Sequence, residues 1–364
     1  MQVMFVDDES RVLSGIERAI MMQDTEWECR FATSGPEALT MLEETPADVV
    51  VSDMRMPFMD GAELLAQVRN RWPGTIRIIL SGYSEPGATQ RMLEVAHRFV
   101  SKPCDSATLI AIIESALSLR TMFNDPAVLD VVGRINQLPA APKVFTAVQH
   151  LLNNPDSDTR QIAELLGSDP ALSAKIMQLA NSAWFNRGSS IHDIGSAITL
   201  LGMDQVKLLV LASHCFTDAK RDPLVSELRR VSLLASSLAA RITGHQGLEP
   251  TAALLANIAR LIPEMSEIGS EITTCNAIPM HSAVGAYLLA VWGLPLDIVE
   301  IVAGQAQPSR FAHDAFGALG VVHVAVALAN NNTPDRDYLE KAGVLDQLPL
   351  WQQMLANLQD TLHD

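Results

Sequence analysis

Polar residues able to act together stand at the ends of short apolar runs in the first third of the chain. Asp7, Asp8 and Glu9 follow "QVMFV", Asp53 closes "DVVVSD", Ser81 and Gly82 follow "IRIIL", and Lys102 with Pro103 follows "RFVS". Three carboxylates drawn to one place repel one another, so their gathering is reasonable only around a cation. Hard oxygen donors in a partly open site suit Mg²⁺, which keeps several waters and takes one or two carboxylates. Lys102 would bring a second positive charge, Ser81 a hydroxyl, and Gly82 room for the backbone.

For these residues to meet, the elements carrying them must converge. Apolar runs at 2–6, 27–32, 48–52, 76–80 and 98–101 alternate with amphipathic stretches to about 22 and at 35–44, 61–71, 85–95 and 106–120. Five such strand–helix units predict a doubly wound α/β domain, a parallel sheet covered on both faces. In that architecture function collects beyond the carboxyl ends of the strands, where all of these residues fall. The alternative is that the aspartates are ordinary helix caps at strand–helix turns, positions that Asp favours in any case.

Four segments, "VDDE", "VVVSDMRMPFMDG", "LSGYS" and "SKP", occur in order and each at a strand terminus. Together they resemble the receiver domain of two-component response regulators over residues 1–120. The resemblance implies that Asp53 accepts a phosphoryl group, and that Asp7 or Asp8, Asp53 and the backbone carbonyl of Arg55 hold Mg²⁺. It further implies that Ser81 and Lys102 bind the phosphoryl group, and that Phe99 occupies the aromatic switch position. Ser81 stands where Thr is commoner and Phe99 where Tyr is commoner. The chemistry is that of a carboxylate nucleophile served by positioning and charge neutralisation, with a sensor histidine kinase as the implied donor.

Bulk properties narrow the remaining choices. The 364 residues exceed what one core usually organises, and 26 basic against 42 acidic residues leave a net charge of −16. That balance draws the chain toward neither nucleic acid nor anionic lipid. Cys29, Cys104, Cys215 and Cys275 are far apart, without metal-knuckle or disulfide-framework spacing. The N-terminus turns acidic after six residues, unlike a signal peptide, and the apolar runs fall short of the roughly 20 residues of a membrane span. A cytoplasmic protein is expected.

Prolines at 126, 139 and 142 break the pattern after residue 120, which predicts a helical linker over 121–136. The last receiver helix, with apolar residues at 109, 110, 112, 113, 117 and 119, has a stripe wide enough for a second contact. From 137 onward the periodicity is helical throughout, without a convincing strand. N-cap candidates are Asp158, Ser168 and Asp204, and later helices are predicted at about 224–244, 249–262, 281–292, 296–304, 311–330 and 336–362. "LPAAPKV", "DPALSAKIMQLANSAWF", "SIHDIGSAITLLGMDQVKLLVLA" and "HSAVGAYLLAVWGLPLDIVEIV" resemble the HDOD domain, an all-α output module, over 137–330. Asn181, Ser182, Trp184 and Phe185 form a mixed polar and aromatic corner, read as a cap with core aromatics. Residues 331–364 are an amphipathic extension, read as packing on the core, with a homodimer or partner helix as the alternative.

The wider HD superfamily binds metal through a His, a His-Asp pair and later histidines. In this sequence those places fall near Val231, at Ala256 and Asn257 within "LLANIARL", and near Gly304 and Gln305. Val, Ala and Gly ligate nothing, and His281 alone does not make a site. The nine histidines include no HxxxH or HExxH spacing; His313 and His323 could share a helix face, but are read as structural. The expected function is therefore a phosphorylation switch governing a non-catalytic HDOD domain that binds a downstream signalling protein. The alternatives are a cyclic-dinucleotide phosphodiesterase, or a nucleotide-binding cleft with Arg260 and His281 as contacts. DNA binding has little support beyond a generic helix–turn–helix look at "DTRQIAELLGSDPALSAKIMQLA".

Overall fold

The structure, a computed structural model, describes residues 1–23, 25, 27–82, 91–92, 95–135, 159–182, 190–202, 206, 223–244, 247–262, 265, 274–275, 278–310 and 315–363. It separates into two compact units, one built chiefly of Met1–Asn136 and the other of most of the chain beyond.

The first unit is a five-stranded parallel sheet of β1 (Gln2–Val6), β2 (Glu28–Ala32), β3 (Val49–Asp53), β4 (Ile76–Ser81) and β5 (Arg98–Ser101), in the order β2-β1-β3-β4-β5. Its helices are α1 (Ser10–Met21), α2 (Gly35–Glu44), α3 (Gly61–Arg71), α4 (Ser106–Met122) and α5 (Pro126–Arg134). Strands β1, β3 and β4 are largely apolar and buried because helices cover both faces, and the order reverses at β1, opening a crevice between β1 and β3. The register places Val51 of β3 beside Phe5 of β1 and Ile78 of β4, so Asp7 and Asp53 emerge at the same edge. Of the helix expected at 85–95, only residues 91, 92 and 95 are among those described.

The linker segment is part of this unit's packing. Asp125 caps α5 by accepting from Ala127 N at 2.8 Å, Pro126 opens the helix, and Val128, Leu129, Val131 and Val132 are buried. Gly133 lies so close to Pro73 that an added Cβ would come within 1.7 Å of its carbonyl oxygen. Arg77, a charged residue inside β4 and only 1% exposed, completes the joint. Its guanidinium donates to Val95 O at 2.7 Å, Thr75 O at 3.2 Å and Gly133 O at 3.2 Å, and lies 2.7 Å from His97 Nε2. A buried guanidinium must find several acceptors, and here it finds them on three separate segments.

Among its described residues the second unit is helical, apart from a two-residue antiparallel ladder of β6 (Thr274–Cys275) and β7 (Ile278–Pro279) that periodicity did not suggest. Its helices are α6 (Thr159–Leu166), α7 (Pro170–Ala180), α8 (Ile194–Leu201), α9 (Pro223–Thr243), α10 (Leu248–Leu255), α11 (Met280–Val291), α12 (Leu296–Gly304), α13 (Ala318–Ala329), α14 (Arg336–Lys341) and α15 (Leu348–His363). Helix α7 is buried along its whole length, and α9 lies against both α10 and α13. Among the described residues no helix is long and apolar enough to cross a membrane.

Three local expectations are corrected. Asp169, not Ser168, caps α7: its carboxylate accepts from both Ala171 N and Leu172 N, at 2.9 and 3.0 Å, whereas the Ser168 hydroxyl donates to Leu165 O. Asp158 and Asp204 lie outside the described residues. The stretch 336–362 is not one helix, because Gly343 takes φ +69 after α14 and the chain restarts through a 3-10 turn at Leu345–Gln347. Nor is 249–262 continuous: α10 ends at Leu255, and a 3-10 turn occupies Ile258–Leu261.

Candidate functional site

At the carboxyl edge of the first sheet, Lys102 Nζ lies 2.7 Å from Asp7 Oδ2 and pairs more closely still with Asp53 Oδ1. The second oxygen of Asp53 accepts from Arg55 N at 2.6 Å, and Asp7 Oδ1 accepts from Glu9 N at 2.9 Å. Both carboxylates are buried, while Lys102 reaches them from the half-buried turn after β5. That turn is tied to β4, since Lys102 N donates to Ser81 O at 2.8 Å. The other end of the loop that follows Asp53 is held as tightly: Gly61 N donates to Met54 O, and a Cβ on Gly61 would fall 2.1 Å from Asp53 O. Only glycine permits so close a return of α3 toward Asp53.

Burial holds the Asp53 carboxyl above the ordinary carboxylate range; Lys102 and the Arg55 N–H pull it down, and the charge of Asp7 adds to the rise. Burial alone would lower the Lys102 pKa, but its hydrogen bonds to Asp53 and Asp7, with their charges, leave it above its usual value. The ammonium is therefore firmly charged at neutral pH, and one positive charge serves two carboxylates. The resulting negative excess, on hard carboxylate oxygens, fits a small divalent cation that keeps its own waters. Asp8 is exposed at the mouth and does not join a third carboxylate to the pair; among the described residues no group of three or more His, Cys, Asp or Glu could hold a metal.

Ser81 is buried at the end of β4, its hydroxyl donating to Gly82 O at 3.2 Å. Phe99 is buried in the same apolar cluster as Met54, Met56 and Met92. Thus Asp7, Asp53, Lys102 and the Arg55 backbone meet directly, whereas Ser81 and Phe99 flank them. Sequence reasoning passed over Gly61, Gly133 and the Arg77–His97 pair. A signal for the last was present: an arginine within "IRIIL" is out of place in a strand buried on both faces.

In the second unit the positions aligned with HD metal ligands carry Val231, Ala256, Asn257, Gly304 and Gln305. Val231 and Ala256 are buried, and Asn257 sits buried at the break between α10 and its 3-10 turn, its amide nitrogen without a hydrogen-bond partner among the described residues. Gly304 ends α12, and Gln305 donates to Ser282 Oγ at 3.3 Å. His281 is half-buried; burial, and then the charge of Arg260, push its pKa down to about 4. His323 has both ring nitrogens engaged, Nδ1 with Gln305 O and Nε2 with Asp335 N, each at 2.7 Å, as a structural histidine would. Asn181 is a staple as well as a cap, since its side chain both accepts from and donates to the backbone of Ile191. His313, Trp184 and Phe185 lie outside the described residues.

Comparison with known proteins agrees with this division. The profile of the response regulator receiver domain matches residues 3–114, and that of the HDOD domain matches residues 138–308. The chain is 32% identical to the DNA-binding transcriptional regulator NtrC of Salmonella typhimurium over 154 residues, 41% of this chain and 32% of the relative. It therefore spans only about a third of the length of the curated relatives it matches. Among solved structures it is similar to the signal receiver domain of an HD domain-containing protein from Pseudomonas fluorescens Pf-5, with 26% identity, 33% of this chain and 97% of that chain covered, and a TM-score of 0.32. It is also similar to the MmoQ response regulator from Methylococcus capsulatus, with 22% identity, coverages of 59% and 98%, and a TM-score of 0.48. With two profiles matching in succession over a doubly wound sheet and a helical unit, the chain belongs to the response regulators and carries a receiver domain followed by an HDOD domain.

Proposed function

We propose that Asp53 is the phosphoryl acceptor of a two-component relay and that its modification controls a non-catalytic HDOD domain which binds a downstream signalling protein in the cytoplasm. The observation that best supports this reading is the Lys102 ammonium shared between two buried carboxylates at adjacent strand ends, with the second Asp53 oxygen fixed by the Arg55 N–H.

In this reading a sensor histidine kinase presents a phosphorylated imidazole. An Asp53 oxygen attacks phosphorus, the P–N bond breaks, its electron pair returns to the ring nitrogen, and an acyl phosphate remains on Asp53. Mg²⁺, held by Asp7, Asp53 and the Arg55 carbonyl with Asp8 at the mouth, would neutralise the phosphoryl oxygens. Lys102 exchanges its contact with Asp53 for one with the new phosphoryl group while keeping Asp7. The Ser81 hydroxyl, spent on a neighbouring carbonyl beforehand, turns to the same group, and the apolar packing around Phe99 readjusts. Moving a two-state equilibrium from 1:99 to 99:1 takes about 5.5 kcal/mol of differential stabilisation, to which charge-assisted bonds to a phosphoryl group contribute.

For the helical half, the replacement of ligand types at Val231, Ala256, Asn257, Gly304 and Gln305 favours recognition over hydrolysis. Labelling with acetyl phosphate and Mg²⁺ tests the switch: wild type should become phosphorylated and Asp53→Asn should not, and undiminished labelling of the variant would end this reading. Turnover of cyclic di-GMP, together with a stoichiometric transition metal in the helical half, would establish a phosphodiesterase instead.

A further inference from the structure

The loop from Asp53 to α3 is anchored nearly everywhere except at one residue. Met54 and Met56 are buried, and Met59 is wedged against Gly35, where an added Cβ would meet its sulfur at 2.6 Å. Asp60 starts α3 in a capping box with Glu63 and is held by Arg91, whose Nη2 lies 2.6 Å from Asp60 Oδ2. Between these anchors Met59 N donates to Pro57 O at 2.8 Å, closing a three-residue turn around Phe58. Phe58 takes φ +68 and is 104% exposed, more than any other large apolar side chain among the described residues.

Neither folding nor stability accounts for this residue. An aromatic side chain at positive φ is a strained choice where glycine would be relaxed, and a ring fully in water gains nothing from burial. Strain of this kind persists where surrounding structure enforces it, and it concentrates at functional sites. The surroundings here do enforce it, because both flanks of the turn are fixed. What results is a preordered apolar knob five residues beyond the phosphoryl acceptor, and a preordered side chain loses little freedom on binding.

We propose that Phe58 is a docking residue for the protein that delivers the phosphoryl group, its ring entering an apolar recess beside the donor's phosphohistidine. This rests on Asp53 being the acceptor. A protein donor must bring phosphorus to Asp53, so its surface has to cover the loop that begins there, whereas a small donor such as acetyl phosphate has no surface to dock. An aromatic anchor next to the reacting group is the kind of residue that carries much of an interface's binding energy.

The full-length protein is tested as wild type, Phe58→Gly and Phe58→Tyr. The donor is the sensor kinase of the source organism that labels wild type fastest in a phosphotransfer profile, and acetyl phosphate with Mg²⁺ is run in parallel. The inference expects kcat/KM for transfer from the kinase to fall at least about tenfold in Phe58→Gly and to be largely kept in Phe58→Tyr. Labelling by acetyl phosphate stays unchanged, and Phe58→Gly melts no lower than wild type, since glycine relaxes the turn. Equal transfer to wild type and Phe58→Gly would overturn the inference while leaving Asp53 as acceptor. An equal loss with both donors would also overturn it, because Phe58 would then shape the site rather than dock a protein. Wild type that accepts from acetyl phosphate but from no kinase removes the docking role, and failure of both donors on wild type removes the acceptor assignment itself.

Discussion

Substituting Gly133 by alanine sets two physical effects against each other. Helix propensity alone says that Gly→Ala inside a helix stabilises by about 1 kcal/mol. At this position, however, the new Cβ would sit 1.7 Å from Pro73 O, and real contacts of this type stay beyond 3.0 Å, so α5 has to lift by about 1.3 Å. The Arg77 Nη2 to Gly133 O bond, already 3.2 Å, is then lost, and a hydrogen bond from a buried charged group is worth about 1.5–3 kcal/mol. Loosened packing of Val128 and Val132 adds to the cost, so docking should win with a net loss of about 2 kcal/mol. Amide hydrogen exchange across 126–134 in the full chain measures this locally, and the expected loss corresponds to exchange about 30-fold faster. Gly15 is the control: it lies inside α1 with no atom within 4 Å of an added Cβ, so Gly15→Ala should slow exchange in its own helix severalfold. If Gly133→Ala protects α5 as Gly15→Ala protects α1, the docked helix and its arginine joint are wrong.

Two further predictions concern pH. Because burial raises the Asp53 pKa, the stability tied to its protonated form is present below the ordinary value of 3.8 and is lost as pH rises through the folded-state value. Asp53→Asn in metal-free buffer should therefore melt higher than wild type at pH 7–8, the gap closing toward pH 4, while Lys102 keeps Asp7 as its partner; a variant that melts lower at neutral pH would contradict this. For His281 the sign is reversed. Its pKa falls from 6.5 to about 4, so its contribution is complete above 6.5 and is lost as pH drops toward 4, by at most about 3 kcal/mol. His281→Gln should flatten the acid limb of thermal stability over that window, and identical limbs in the two proteins would show that His281 is not held neutral by its surroundings.

Much of the receiver is legible in the amino-acid sequence. Strand and helix periodicities differ, 2.0 against 3.6 residues, and their alternation leaves few topologies besides a doubly wound sheet. That topology sends Asp7, Asp53, Ser81 and Lys102 to one edge, which is why strand-end residues could be read as a site. The helical half was legible as a succession of helices, but not at its breaks. Nothing in the pattern of "LLANIARL" distinguishes a continuous helix from one that ends at Leu255, because the departure near Asn257 lies within a fully buried stretch whose packing is three-dimensional.

What the sequence determined alone is therefore local chemistry and order: which residue types stand at which strand ends, and which faces must be buried. Tertiary structure decided the rest. It chose the two carboxylates that share one ammonium and left Asp8 at the mouth. It turned Arg77 into the joint between a strand and a helix 56 residues further on, and held Phe58 outward on a turn it would not adopt by preference. The reason is that periodicity reports interactions within a few residues, whereas a bridging lysine, a buried guanidinium or a glycine against a distant carbonyl depends on distances set only when separate segments pack.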